Sequence, residues 1–207
     1  MVDVISGSQE QIITTRWSDL PIGSYDVIYA DPPWKYYGDP NKDQAAGKHY
    51  ECMTFDQLAE LDVRSLLKHR AIIAMWTTGT KMAEACALFP RWGCYYRQVL
   101  QIWIKTKKDG TPIEGQGVRP SFVKQMDEFL LIGSTTEKGR TLPIMTERMP
   151  QNGFEPRPGN VHSRKPALFR NRLVELFGDV RRVELFSREV VPGWDAWGND
   201  LALTQER

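Results

Sequence analysis

The segment that most restricts the fold is Tyr25-Asp26-Val27-Ile28-Tyr29-Ala30, an apolar run cut off by Asp31-Pro32-Pro33-Trp34. With Asp26 as its only charged residue, a strand here must be covered on both faces. Such strands belong to parallel sheets flanked by helices. The two prolines fix φ and offer no backbone donor, so the strand ends at Asp31.

The rest of the chain repeats this grammar. Ala71–Trp76, Gln98–Ile104, Glu128–Gly133 and Arg182–Phe186 are further strand candidates. Thr54-Phe55-Asp56-Gln57 has capping-box spacing, with Leu58 and Leu61 following on one helical face. Lys81–Phe89 reads as a helix stopped by Pro90, and Pro166–Phe177 as one opened by proline and closed by Gly178. Strands alternating with helices predict an α/β fold, a mostly parallel open sheet with helices on both faces. Residues 1–207 suffice for one such domain.

Lys35–Lys48, Lys107–Ser121 and Glu137–Val161 fit neither period and read as long loops. In open sheets ligands bind beyond the carboxyl ends of the strands, so Lys35–Lys48 is a candidate wall of the site. Trp76, Trp92 and Trp103 are expected in the core; Trp194 and Trp197 are expected to pack the C-terminal segment onto the sheet.

Several classes are excluded or disfavoured. No basic segment precedes an apolar run and no stretch suits a bilayer, so a cytoplasmic protein without a membrane partner is expected. Cys52, Cys86 and Cys94 show no metal-ligand spacing, and His49 and His162 read as surface residues, so no metal is expected. There is no Walker loop or glycine-rich dinucleotide fingerprint. The net charge of +1 decides nothing about a nucleic acid partner, and the clusters Lys105–Lys108 and Arg181–Arg182 read by default as solvated faces.

Asp31-Pro32-Pro33-Trp34 is the sharpest chemical signal. As a bare turn it would need no further explanation, since Asp and Pro are common in turns. After a buried strand and before Tyr36 and Tyr37, it suits a harder task, the methylation of an exocyclic amine on a purine. That nitrogen's lone pair is delocalised into the ring. The Asp31 carboxylate and the proline-held Pro32 carbonyl can accept its two N–H bonds and favour the pyramidal form. Trp34 can stack on the base, with Tyr36, Tyr37 and Tyr50 as further stacking faces.

The tetrad resembles that of a family of adenine methyltransferases, which includes the catalytic subunit of the eukaryotic mRNA adenosine methyltransferase and many bacterial and phage DNA enzymes. The resemblance extends through His49–Thr54, Trp76–Gly79, Trp103–Thr106, Ser163–Pro166, Glu184–Arg188 and Gly193–Asp200, in order along most of the chain. It implies a Rossmann-like S-adenosylmethionine-dependent methyltransferase fold in circularly permuted motif order, tetrad early and cofactor strand late. Asp31, Pro32, Pro33 and Trp34 would be catalytic. Tyr36, Tyr37, Tyr50, Lys105 and Glu128 would bind substrate. Asp31, Lys165, Glu184, Phe186, Arg188, Asn199 and Asp200 would bind S-adenosylmethionine, Lys165 together with the helix N-terminus holding its carboxylate. Thr14–Trp17 stands where some members carry a carboxylate.

The expected substrate is adenine in DNA, with RNA, or a non-catalytic nucleic-acid-binding subunit, as alternatives; the intact tetrad and Lys165 favour an enzyme. A paired adenine must flip out or be single-stranded. A chain of small net charge implies a homodimer, or ordering of the three long loops around the substrate.

Overall fold

The structure, a computed structural model, describes residues 10–36, 52–113, 126–156, 164–199 and 201. Its strands are β1 (Ile13–Thr14), β2 (Tyr25–Ala30), β3 (Leu67–Thr77), β4 (Tyr95–Thr106), β5 (Asp127–Ser134), β6 (Asn152–Pro156), β7 (Arg182–Leu185) and β8 (Asp195–Trp197). The helices are α1 (Phe55–Ala59), α2 (Val63–Leu66), α3 (Met82–Arg91) and α4 (Ala167–Phe177). The strands form one sheet in the order β1-β8-β7-β2-β3-β5-β4-β6. Every pairing is parallel except the two made by β5, with β3 and β4. This is the mostly parallel, Rossmann-like α/β sheet that the sequence predicts.

The sheet divides two cores. On one face Ile28, Ala30, Ile73, Met75 and Leu185 meet Leu58, Leu88 and Phe89 from α1 and α3. On the other, Val27, Tyr29, Ala74, Trp76 and Trp103 meet Phe169, Leu173 and Phe177 from α4. The central β2 is thus covered on both sides, as its composition requires. It lies between β3 and β7, and the chain proceeds outward in opposite directions from these two neighbours. Such a reversal opens a crevice at the carboxyl ends of the strands, and Asp31 stands there.

Local signals hold where they have a mechanism. Thr54 and Gln57 form the capping box at α1, and Gly178 closes α4 with φ 72°. Trp76, Trp92 and Trp103 are all buried, as is Trp194. Four expectations need correction. Helix α3 does not stop before Pro90 but carries it in its last turn. There it removes a single intrahelical bond, the one to the Cys86 carbonyl, while the Trp92 and Cys94 N–H groups close the helix end on the Leu88 and Phe89 carbonyls. The late strand ends at Leu185, and Phe186 leaves it with φ 61°. The segment expected as the loop Glu137–Val161 contains β6, a parallel edge strand in which Gly153 is the buried residue. The Arg181–Arg182 pair is no solvated face. Arg182 is buried and bonds the Gly178 and Gly193 carbonyls, while Arg181 pairs with the buried Asp195.

Phe169 ties these layers together. It is fully buried, with its ring 5.1 Å from that of Trp76 at 89°, and a Cβ added at Gly153 would lie 2.6 Å from its Cζ. Phe169→Ala should lower unfolding stability by about 3–5 kcal/mol, the range for emptying an aromatic core site. Urea denaturation followed by circular dichroism measures it; a change below about 1 kcal/mol would mean that α4 is not held through this ring.

Candidate active site

The carboxyl edge of the sheet carries a row of alternating charges on its α4 side. Lys165, just before the proline that caps α4, reaches Asp31 Oδ2 at 2.6 Å and Glu128 Oε2 at 3.2 Å. Glu128, at the start of the antiparallel β5, also meets Lys105 Nζ from the end of β4 at 2.5 Å. The antiparallel direction of β5 matters here, because it brings an amino end to the same edge as the carboxyl ends of β2 and β4. Trp76 and Trp103 form the floor: the Lys165 ammonium lies 5.7 Å from the Trp76 ring and Lys105 lies 5.1 Å from that of Trp103.

Every member of the row is largely shielded from water. Burial alone would lower the Lys165 pKa, but the two carboxylates more than offset it and the net direction is upward. Burial alone would raise the Glu128 pKa, but Lys165 and Lys105 bring it below the usual value. Both groups therefore stay ionised at neutral pH. Glu128 is the middle of this row.

The tetrad is fixed mainly by its backbone. The Met53 N–H donates to the Pro33 carbonyl at 2.8 Å, and the Lys35 N–H donates to the Met53 carbonyl at 3.0 Å. The Pro32 carbonyl accepts the Trp34 N–H at 2.8 Å and keeps a second lone-pair direction. The expectation that Trp34 stacks on a base is corrected. Its ring is 6% exposed and its indole N–H donates to the Trp76 carbonyl, so it braces β2 against β3. Tyr36 is the exposed aromatic at this mouth; Tyr37, Tyr50 and Asp200 lie outside the described residues.

A cleft of about 490 Å³ opens beside the tetrad, with Pro33, Met53, Phe186, Arg188, Trp197 and Asn199 among its lining residues. Its walls depend on unusual backbone. Phe186 holds a left-handed φ of 61°, uncommon for a residue with a side chain, and its ring lies 5.3 Å from that of Trp197. A Cβ at Gly198 would lie 2.1 Å from the Ser187 carbonyl oxygen, so only glycine lets these two segments approach. Asp195 anchors the segment by accepting from Tyr25 Oη, Arg181 and the Ile12 N–H. Trp197 therefore does more than pack the C-terminal segment. It forms part of the cleft, while Trp194 is fully in the core.

Of the expected cofactor residues, Phe186, Arg188 and Asn199 line this cleft. Glu184 does not. Its carboxylate is buried on the α4 side, 2.8 Å from Arg170 Nε, rather than set out at a strand end toward a ribose. Arg170 in turn meets Glu189, which also pairs with Arg164. This second charged cluster was not read from the sequence. An arginine inside the apolar face of α4 and a glutamate inside the strand Arg182–Leu185 were its signals. Lys165 has its ammonium on Asp31 and Glu128, two contacts that the reading of it as a carboxylate holder did not include.

Comparison with known proteins fits this geometry. A family model described as MT-A70 matches residues 25–200. The chain is 29% identical to the type II methyltransferase M.MunI of Mycoplasma sp, over 88% of this chain and 80% of that protein. It is 24% identical to the N(6)-adenine-specific methyltransferase METTL4 of Homo sapiens, over 86% of this chain but 38% of that protein. It is 27% identical to the N6-methyladenosine RNA methyltransferase MTA1 of Pyricularia oryzae, over 89% of this chain and 49% of that protein. The chain thus spans most of the bacterial relative and less than half of the eukaryotic ones.

Glu184 gives this site a pH signature. Burial, only partly offset by Arg170, pushes its carboxyl up to about 7. A folded pKa raised above the unfolded value adds stability at low pH that is lost as pH rises through the folded pKa. Stability should therefore fall between about pH 4.5 and 7 through this group, and Glu184→Gln should flatten that slope. Urea midpoints of the two proteins across this window test it; parallel profiles would show that Glu184 does not titrate there.

Proposed function

The chain belongs to the MT-A70 family of N6-adenine methyltransferases, and from that membership we propose that it methylates the 6-amino group of adenine in DNA, with S-adenosylmethionine as donor. The observation that carries the reading is the position of Asp31. It ends β2 between the cleft of Phe186 and Asn199 and the charged row of Lys165 and Glu128, so a donor and an acceptor can approach it from different sides.

The cleft fits the donor. Phe186, Trp197 and Met53 suit a flat purine, and Arg188 and Asn199 supply polar partners for ribose hydroxyls and ring nitrogens. When bound, S-adenosylmethionine supplies an electrophilic methyl group on a sulfonium centre. The remaining work falls to this chain. Lys165 fixes the Asp31 carboxylate through a short charge-assisted contact. Asp31 accepts one N–H of the target amine and the Pro32 carbonyl the other, which localises the nitrogen lone pair. The buried tryptophan floor and the α4 cap exclude water around these charges. Lys105 and Glu128 extend the row on the acceptor side, and Tyr36 offers the stacking face.

DNA is favoured by the similarity to a type II methyltransferase across four fifths of its length. The relative named for RNA keeps an RNA substrate as the second reading. Within this proposal the chain works in the cytoplasm, and extrusion of the base requires either a homodimer or loops that close on the substrate.

Purified protein with labelled S-adenosylmethionine and DNA or RNA oligonucleotides, single-stranded and duplex, decides among these. Label should enter adenine N6 in DNA, faster at mismatched than at paired targets. Label in RNA alone would select the second reading, and label in neither would remove the proposal. Asp31→Ala should abolish transfer while the fold persists. Arg188→Ala and Asn199→Ala should each weaken donor binding in calorimetry, charge-assisted contacts being worth about 1.5–3 kcal/mol; unchanged affinity in both would place the donor elsewhere.

A further inference from the structure

The mouth of the site contains a buried cation that the mechanism above does not use. Lys81, just ahead of α3, is 7% exposed. Its ammonium lies 2.6 Å from Glu84 Oε2 and 5.6 Å from the centroid of the Tyr36 ring. The Glu84 side chain is 36% exposed, so this pair could have formed at the surface, where a lysine costs little to keep. What the burial adds is a desolvated cation against an aromatic ring, the setting in which that attraction is strongest.

Tyr36 is held from other directions as well. Its hydroxyl is 3.2 Å from Thr78 Oγ1, which is 3.0 Å from Thr80 Oγ1. The preceding residue is pinned by the Lys35 N–H to the Met53 carbonyl. The ring nevertheless keeps 40% of the residue exposed, beside a neighbour, Trp34, that is buried. An aromatic ring fixed by backbone, hydroxyl and cation, yet open to solvent, is prepared to receive another flat group at little cost in side-chain entropy.

We propose that Lys81 is a positioning residue for substrate: with Thr78 it holds Tyr36 as a stacking platform for a nucleobase of the bound strand. The inference rests on the nucleic acid substrate proposed above. The shared chemistry is a nucleobase, either the target adenine or its neighbour. Thr78, Thr80 and Lys81 follow the carboxyl end of β3, so the platform stands on the opposite side of β2 from the β7–β8 cleft.

The test is binding of fluorescent single-stranded DNA carrying one adenine among pyrimidines, followed by anisotropy, with donor affinity measured in parallel. Lys81→Met should weaken oligonucleotide binding about threefold to tenfold, a part of the roughly thirtyfold that a fully desolvated cation–ring contact is worth because Lys81 acts through Tyr36, and leave donor affinity unchanged. Lys81→Arg should restore most of it. Tyr36→Ala should weaken binding at least as much, and in that background Lys81→Met should add nothing. Thr78→Val, which keeps the buried ammonium, should also weaken binding only while Tyr36 is present. Abasic sites flanking the adenine separate the two positions: if they erase the Lys81→Met effect the neighbour is stacked, and if they leave it the target is. Equal losses from Lys81→Met with and without Tyr36, or no loss from any variant, would overturn the inference. Normal methyl transfer with uncoupled variants would remove the platform alone, whereas coupled binding without methyl transfer would remove the catalytic reading alone.

Discussion

One ammonium group, that of Lys165, organises the carboxyl edge of this protein. It joins Asp31, just past β2, to Glu128 on β5, and Glu128 passes the contact on to Lys105 on β4. Four residues from three strands and the approach to α4 thus share a set of charges that sums to zero. Burying them costs several kcal/mol of desolvation per ion, which pairing returns only in part. Such a row is poor value as a source of stability. Its worth lies in direction: a carboxylate between fixed partners keeps its lone pairs aimed before any substrate arrives.

The rest of the edge protects that arrangement. Trp76 and Trp103 form an apolar floor tied by hydrogen bonds to Tyr29 and to the Glu155 carbonyl, and Trp34 in the core on the opposite face bonds the Trp76 carbonyl, so the charged residues above the floor have little freedom to sink or turn. On the far side of Asp31, the close passage of Gly198 over Ser187 and the left-handed turn at Phe186 shape a cleft whose walls are mostly backbone-determined. The edge is thus electrostatic on one side of β2 and steric on the other.

The sequence makes the scaffold legible because its signals are local. An apolar run ended by two prolines, a capping box and a helix bracketed by Pro166 and Gly178 each act within a few residues. Much of the site is not local. Trp34 looks like a stacking face because aromatic residues near a carboxylate often are, yet its burial depends on Trp76, far along the chain. Glu184 looks like a strand-end ligand until Arg170 rises from α4 to meet it. Strand β6 hides because its buried residue is a glycine, which carries no hydrophobic signal. Lys81 and Tyr36 meet only because β2 and β3 are neighbours. Residue types announce the chemistry, but which of two candidates reaches solvent is settled by packing between distant segments.

The strand order also sets a timetable. Strands β2 to β6 occupy one continuous half of the sheet, and β7 and β8 close the other flank of β2 against β1. On the ribosome, β7 and β8 emerge after the other described strands, so β2, which is covered on both faces, waits with one edge unpaired. An exposed edge of this kind invites pairing with other chains. The charge row can assemble once α4 is out, but the wall made by Phe186, Trp197 and Asn199 cannot. The charged row can therefore form before the cleft, and a molecule that binds in the cleft during synthesis can stabilise only chains in which β7 and β8 have already paired.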